Sequence, residues 1–497
     1  MGILTQIYAH PADRVAARIG PALITYGRLC ADIDAMAHWL LGQGLEPGDR
    51  VTLHSQVIPL TTYWDWIMHL GAIRAGLVQS TSGMPPAVAA TGAIGPYVAA
   101  VGSMDKLAPK ANPRLKLAFA PQWNLPLAEQ IEIPETGQKL DGLENQAVRL
   151  LSTSGTTGRP KVVVWDAALI EARLKQVREI GDIGPDTVSL TLLGLITTTG
   201  FRYPIAVWQM GGIVLLATFG NEKPDLAALV APSTFLATSP FRMREMLKYV
   251  PGDWPGRKAR VVELFGGRVP PLLREEVLAR CGSPVRMSYG ATEVGRVAAG
   301  DTALVERDPG AVGMVEPGIT VEIVDNKGQP KPAGERGIVR MKSDFMVHGY
   351  AGQRPAAGAQ TPFRGGWFYP GDLGIVYEDG LFAITGRTSE TINLAGAKFS
   401  PPAIEDRIVK LPEVKDVCLV SLPLDANDVL AAAVVVEKGT DVGALREKML
   451  AQLPKQFPFM LIVVSSIPRN AMGRVPRQQV AKILTAEIKK RAAAAKK

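Results

Sequence analysis

Residues 150–161 read Leu150-Leu151-Ser152-Thr153-Ser154-Gly155-Thr156-Thr157-Gly158-Arg159-Pro160-Lys161, with five hydroxyl side chains, two glycines and a lysine between apolar runs. Glycine lets backbone N–H groups come close to an anion, hydroxyls donate to its oxygens, and a lysine ammonium neutralises its charge. That is the chemistry of a phosphate cradle. A P-loop is excluded, because the spacing Gly-x4-Gly-Lys-Ser/Thr is missing. The alternative reading is a plain Ser/Thr/Gly surface turn.

A loop of this kind needs elements to hold it. Short apolar runs bounded by Gly or Pro at Thr187–Leu193, Gly212–Ala217, Arg260–Phe265 and Pro284–Ser288 read as buried parallel strands. Helical stretches lie between them, such as Phe241–Tyr249 with Met243, Met246 and Leu247 on one face. Near the N-terminus, Thr25 caps a helix whose apolar face is Leu29, Ile33, Met36, Ala37 and Leu40, followed by a strand at Arg50–Ser55 and a helix over Thr61–Ala75. The alternation predicts an α/β fold of wound sheets. From Gly313 to Ile384 short strands are punctuated by turns such as Asn326-Lys327-Gly328, which predicts an antiparallel, barrel-like segment. The last hundred residues predict a small α+β unit: a hairpin of Val414–Ser421 with Val429–Glu437, a helix over Val442–Leu453, a strand at Met460–Ser465 and a helix from Pro476. The boundary is placed at 387/388, giving a large domain of residues 1–387 and a small mobile domain of 388–497.

Composition excludes several classes. A chain of 497 residues, 47% apolar and 21% charged, is neither disordered nor a single-core domain. The longest apolar run lies near Val429–Val436, far short of the ~18 residues of a membrane span. Cys30, Cys281 and Cys418 are too far apart for a disulfide framework or a Cys-x-x-Cys metal site. The net charge of +8 comes from scattered residues and a basic tail, which reads as a solvated helix end and not as a nucleic-acid patch. The start lacks a signal-peptide pattern, so the cytoplasm is expected.

Five segments, taken in order, resemble the signatures of the adenylate-forming superfamily, which includes acyl-CoA synthetases, nonribosomal peptide synthetase adenylation domains and luciferase. They are the 150–161 loop, Tyr289-Gly290-Ala291-Thr292-Glu293, Gly366-Trp367-Phe368-Tyr369-Pro370-Gly371-Asp372-Leu373, Gly386-Arg387 with Gly396 and Ile404-Glu405, and Pro468-Arg469-Asn470-Ala471-Met472-Gly473-Arg474. The resemblance implies a two-step reaction. A carboxylate attacks the α-phosphate of ATP with loss of pyrophosphate, and a thiol of CoA or of a carrier protein's phosphopantetheine then takes the acyl group.

By the same resemblance, Thr153, Ser154, Gly155, Thr156, Thr157, Gly158 and Lys161 hold the β- and γ-phosphates, Thr292 touches the α-phosphate and Glu293 sits at Mg²⁺. Tyr289, with Gly290, stacks on adenine beside the backbone of Gly266-Gly267. The two oxygens of Asp372 suit the ribose diol, and Arg387 serves the ribose or the phosphate, or is one half of a salt bridge. Thr197, Thr198, Thr199 and Gly200 line the acid's pocket, with Thr197 at its gate; Arg202 is either nearby or on the surface. No acidic residue stands in that stretch to meet an α-amino group. Ser389 occupies the hinge about which the small domain turns.

Three departures qualify the expectation. Arg474 stands where the family has a lysine that bridges the carboxylate and the α-phosphate, and a guanidinium prefers two parallel bonds to one partner. Pro370 replaces a Thr, and Val162 replaces a Gly. Leu453-Pro454-Lys455-Gln456-Phe457-Pro458 resembles, one residue short, a motif of carrier-loading domains. The expected protein is a free-standing acid–thiol ligase using ATP, Mg²⁺ and CoA, monomeric or homodimeric. The alternatives are a ligase that loads a separate carrier protein, or a nucleotide-binding homologue with weak adenylation.

Overall fold

The structure, a computed structural model, describes residues 2–53, 61–81, 99–102, 115–118, 139–146, 148–153, 161–180, 183–217, 226–248, 261–282, 285–351, 361–394, 397–424, 427–453, 458–469 and 475–494. Two sheets build the large unit. The smaller runs in the order Leu115–Ala118, Ala99–Gly102, Arg50–Leu53, Val78–Thr81, Val148–Thr153 and Lys161–Trp165. All its pairs are parallel except the last, in which Thr153 stands opposite Lys161.

The larger sheet has fifteen strands and two characters. Its first part is parallel through Val15–Ile19, Ile213–Leu216, Val188–Thr191, Phe235–Thr238, Val261–Phe265 and Val285–Ala291. From Val285–Ala291 onward it is antiparallel, through Gly295–Asp301, Ala311–Val315, Leu381–Arg387, Asp372–Val376 and Gly337–Ser343. The expected wound core and antiparallel segment are therefore one continuous sheet, and its switch point is the strand that carries Tyr289.

Local sequence accounts for the helices. Thr25 accepts from the Arg28 N–H and starts Tyr26–Gly42, and all five expected apolar-face residues are buried. Tyr63–Arg74 starts at Thr62, not Thr61, with a capping box to Asp65. It is buried all round because sheet and helices enclose it, and a Cβ at Gly71 would stand 2.4 Å from Met36, so this helix crossing requires glycine.

Buried clusters of the large unit end at Phe382, and those of the C-terminal unit begin at Ile392. In the latter, Val414–Leu424 pairs antiparallel with Asn427–Val436, which pairs parallel with Phe459–Val463. The hairpin is longer than its sequence suggests, because its pairing runs to Leu424 opposite Asn427. Leu419 and Leu430 face one cluster while Cys418 and Ala431 face another, so helices cover both sides, as the unbroken apolar run requires. The two units touch where Arg268 pairs with Asp406 at 2.5 Å and where Gly386 backs onto Ser400.

Candidate active site

Tyr289 stands at a register break in the Val285–Ala291 strand, where a Cβ on Gly290 would lie 2.4 Å from the Gly295 carbonyl. Its hydroxyl donates to Asp372 Oδ2 at 2.5 Å, and its ring meets Phe382 edge-on at 5.4 Å. Asp372 and Arg387 face each other across an antiparallel pair, and the Arg387 Nε lies 2.9 Å from Asp372 Oδ1. Asp372 is buried and Arg387 partly open. Arg387 is thus half of a salt bridge, aimed at the carboxylate expected to meet a diol. Gly266, with φ +80°, turns the chain out of Val261–Phe265, whose last residue is in register with Ser288. The Gly266-Gly267 turn therefore lies beside the Tyr289 strand, with nothing within 3.8 Å of a Cβ at Gly267.

A second corner forms four residues on. Glu293 is buried, and its Oε1 accepts from the Tyr350 hydroxyl at 2.7 Å. The Lys161 ammonium lies over the Tyr350 ring, 4.7 Å from its centre. Burial, reinforced by the charge of Glu293, pushes the Tyr350 hydroxyl well above the usual tyrosine range. Beneath them Arg173, fully buried, donates to the carbonyls of Thr292, Glu293 and Phe345 at 2.7–3.0 Å and stacks on Trp165. One guanidinium thereby fixes the backbone of the Thr292-Glu293 pair. Burial lowers its pKa well below the ordinary arginine value, with Arg202 adding to the effect.

Sequence reasoning missed both Tyr350 and Arg173. Arg173 left a signal: Ile170, Arg173, Leu174 and Val177 share one face of the helix Ala167–Ile180, so a charge stood on a buried stripe. Tyr350 left none beyond a Gly-Tyr pair in a loop.

The threonine segment opens a helix. Thr197 caps the helix Thr198–Gln209: its hydroxyl accepts from the Gly200 N–H at 2.9 Å and donates to the Gly194 carbonyl at 3.1 Å. That hydroxyl caps the helix. Thr198 is partly exposed and Thr199 buried. A Cβ at Gly200 would lie 2.0 Å from the Gly194 carbonyl, so glycine is needed for the close turn. Arg202 is buried, which removes the surface reading; burial brings its pKa down to about 10.

Around this segment lie two further polar clusters. Glu263 accepts from Tyr203 at 3.1 Å and from Ser288, and stands 3.2 Å from Arg296, which also pairs with Glu316 at 3.0 Å. Arg149 stacks on Phe201 at 3.8 Å and donates to Gln79 at 3.1 Å and to the Leu195 carbonyl, with His69 beside it. Burial, then the charge of Arg149, holds the His69 pKa at about 3, so it is neutral.

Ser154, Gly155, Thr156, Thr157, Gly158, Gly396, Asn470, Gly473 and Arg474 lie outside the described residues, as does most of the Leu453–Pro458 motif. Thr153 ends its strand opposite Lys161. Ser389 sits in a short 3₁₀ turn, Thr388–Glu390. Arg477 ties the far side of that turn to the C-terminal unit through Glu390 at 3.3 Å and Glu405 at 2.5 Å.

Among the described residues no cluster of three His, Cys, Asp or Glu side chains is placed to hold a metal. Glu293 alone fits a hard divalent cation whose other ligands are phosphate oxygens and water, as Mg²⁺ usually takes.

The sequence profile described as AMP-binding enzyme matches residues 100–351, just over half of the chain. An acetyl-coenzyme A synthetase of Pyrobaculum arsenaticum is 26% identical over 96% of this chain and 79% of its own length. A salicylyl-CoA synthase / salicylate adenylyltransferase of Streptomyces is 26% identical over 94% of this chain and 90% of its own. The crystal structure of ATP-bound MatB from Rhodopseudomonas palustris superimposes with a TM-score of 0.79 at 23% identity, covering 97% of this chain and all of that one. Among the described residues no helix is long and apolar enough to cross a membrane. By the match over residues 100–351, more than half of its length, the chain belongs to the AMP-binding enzyme family.

Proposed function

We propose that the protein is an ATP-dependent ligase that activates a small carboxylic acid as its acyl- or aryl-adenylate and passes the acyl group to a phosphopantetheine thiol, that of CoA. The observation that carries this reading is the pair of corners on one short segment. Tyr289 joins Asp372 and Arg387 at one end, and Glu293 joins Tyr350 and Lys161 at the other. The first suits a nucleoside, with a carboxylate for the ribose diol and an aromatic face for the base. The second suits phosphates, with a cation and a lone carboxylate.

Asp372 orients the ribose, and Arg387 holds that carboxylate in place. Lys161, with residues 153–158, holds the phosphate chain, while Arg173 fixes the backbone at Thr292 so that its hydroxyl meets the α-phosphate. Mg²⁺ at Glu293 supplies charge neutralisation on the phosphate oxygens. The acid's carboxylate oxygen bonds to the α-phosphorus as the bond to the pyrophosphate oxygen breaks. In the second step the thiol sulfur bonds to the acyl carbon, AMP leaves with the electron pair, and the thiol proton passes to solvent. Positioning and electrostatics supply most of the acceleration. The division at 387/388, with Ser389 as pivot between the two steps, belongs to this proposal; the gap between the buried clusters supports it.

Relatives named as CoA ligases support CoA as the acceptor. Carboxylate-dependent exchange of ATP with labelled pyrophosphate, followed by thioester formation with CoA, tests the reading; ATP binding without exchange for any acid overturns it. Arg474 favours one second reading, a homologue with slow adenylation. Arg474→Lys then speeds exchange about 10²-fold, the scale of one well-placed donor. No gain on this substitution in an actively exchanging enzyme shows that the guanidinium serves fully.

A further inference from the structure

Arg202 is a buried charge that its surroundings do not match. It is 3% exposed, and its Nε reaches back one turn to the Thr198 carbonyl at 3.3 Å. The guanidinium therefore lies along the first turn of the helix Thr198–Gln209. Its Nη1 is buried with no hydrogen-bond partner, and no carboxylate stands within ion-pair distance of it, among the described residues. Two of the charges that act on it or lie near it, Arg296 and Arg173, have its own sign. The third, Glu263, is already engaged by Tyr203, Ser288 and Arg296. A buried guanidinium without an anion is costly, and the usual remedy is a carboxylate gripped by its fork.

Two more orphans lie in the same layer. Ser189 Oγ and Thr191 Oγ1 are buried without partners among the described residues. Ala237 is in register with both Thr191 and Glu263, so Ser189, Thr191 and Glu263 project from one face of the sheet. The bond from Tyr203 to Glu263 shows that the helix carrying Arg202 covers that face. Thr191 ends its parallel strand, and ligands in open α/β sheets bind outside such carboxyl ends. The positive end of the helix dipole is at the same place.

We infer that the acyl pocket takes a short carboxylic acid bearing a second carboxylate, which Arg202 Nη1 and the first turn of the helix Thr198–Gln209 receive while the other carboxylate is adenylated. Ser189 and Thr191 supply further donors in that layer. The inference rests on the ligase reading and names its substrate class.

ATP–pyrophosphate exchange by the full chain on matched acids tests it: propanoate with propanedioate, butanoate with butanedioate, and benzoate with benzene-1,2-dicarboxylate. At least one dicarboxylate is expected to exceed its partner about 10²-fold in kcat/KM, chiefly through KM. Arg202→Met should collapse that ratio toward one, and Arg202→Lys should retain part of it. If Arg202→Met does not fold, the wild-type ratio and Arg202→Lys decide. A wild type that prefers the monocarboxylate in every pair overturns the inference and leaves the ligase standing. So does an equal loss on both members of a pair in Arg202→Met, which would mark Arg202 as structural. No exchange with any acid removes both.

Discussion

At the proposed nucleoside end of the site Asp372 has an oxygen for Tyr289 and an oxygen for Arg387, whereas at the proposed acyl end Arg202, Ser189 and Thr191 keep buried polar atoms without partners among the described residues. The first arrangement is self-consistent: a strand register places Asp372 opposite Arg387, so the backbone delivers the geometry. The second is complete only with something added. Chemistry shared by every substrate pair, the handling of a nucleotide, can be built into fixed pairs. On the inference above, recognition of one particular acid is left to groups that the acid itself would satisfy.

Four substitutions break or sharpen this contrast. The largest effect is expected of Glu293→Gln, which keeps an acceptor for Tyr350 but removes the charge. Exchange should fall about 10³-fold while the melting temperature stays nearly constant. A clear loss of stability would show the carboxylate to be a structural group. Asp372→Ala comes next, with kcat/KM for ATP falling about 10²-fold, because the diol acceptor goes and Arg387 loses its partner. The KM for the acid should move much less; equal changes would mean that the two ends are not separate.

Gly200→Ala probes the acyl end alone. Its Cβ would collide with the Gly194 carbonyl, so a cost of about 2 kcal/mol is expected from urea unfolding, with KM rising more for the acid than for ATP. An unchanged denaturation midpoint would contradict the tight turn. The smallest effect concerns His69. Between about pH 6.5 and 3 the unfolded chain binds one proton more than the folded one here, so stability is present above pH 6.5 and lost as pH falls. The slope from this group reaches at most about 1.4 kcal/mol per pH unit, and His69→Gln should flatten it. Urea titrations at several pH values measure it; identical slopes in both proteins would mean that His69 does not stay neutral.

The same contrast explains what could be read beforehand. Strands such as Val261–Phe265 announced themselves by unbroken apolar runs, and helix Tyr26–Gly42 by its cap and its stripe. Tyr289, Asp372 and Glu293 stand in short contiguous motifs. The Arg173 clamp joins residues 119 to 172 positions apart, and Tyr350 reaches Glu293 across 57, distances over which local pattern carries no information. Thr197 was legible as a hydroxyl at the start of its segment, but that it caps the helix Thr198–Gln209 is seen only in its bond from the Gly200 N–H. The hairpin of the C-terminal unit was read too short because Pro423 and Leu424 continue the pairing where polar Asp425 suggests a wide turn.

Arg268 follows directly on the Gly266-Gly267 turn and reaches across to Asp406 of the C-terminal unit, while its Nη2 also donates to the Pro309 carbonyl at 2.9 Å. One turn of chain therefore lies between the Tyr289 strand, where the proposed function puts the nucleoside, and the neighbouring unit. Linkage makes such a turn a reciprocal device: whatever the bridge adds to nucleoside affinity, the nucleoside returns in equal measure to the docking of the C-terminal unit. If the proposed nucleoside site is correct, a change at Asp406 is expected to register as a change in ATP affinity, and the size of one effect can be measured as the other.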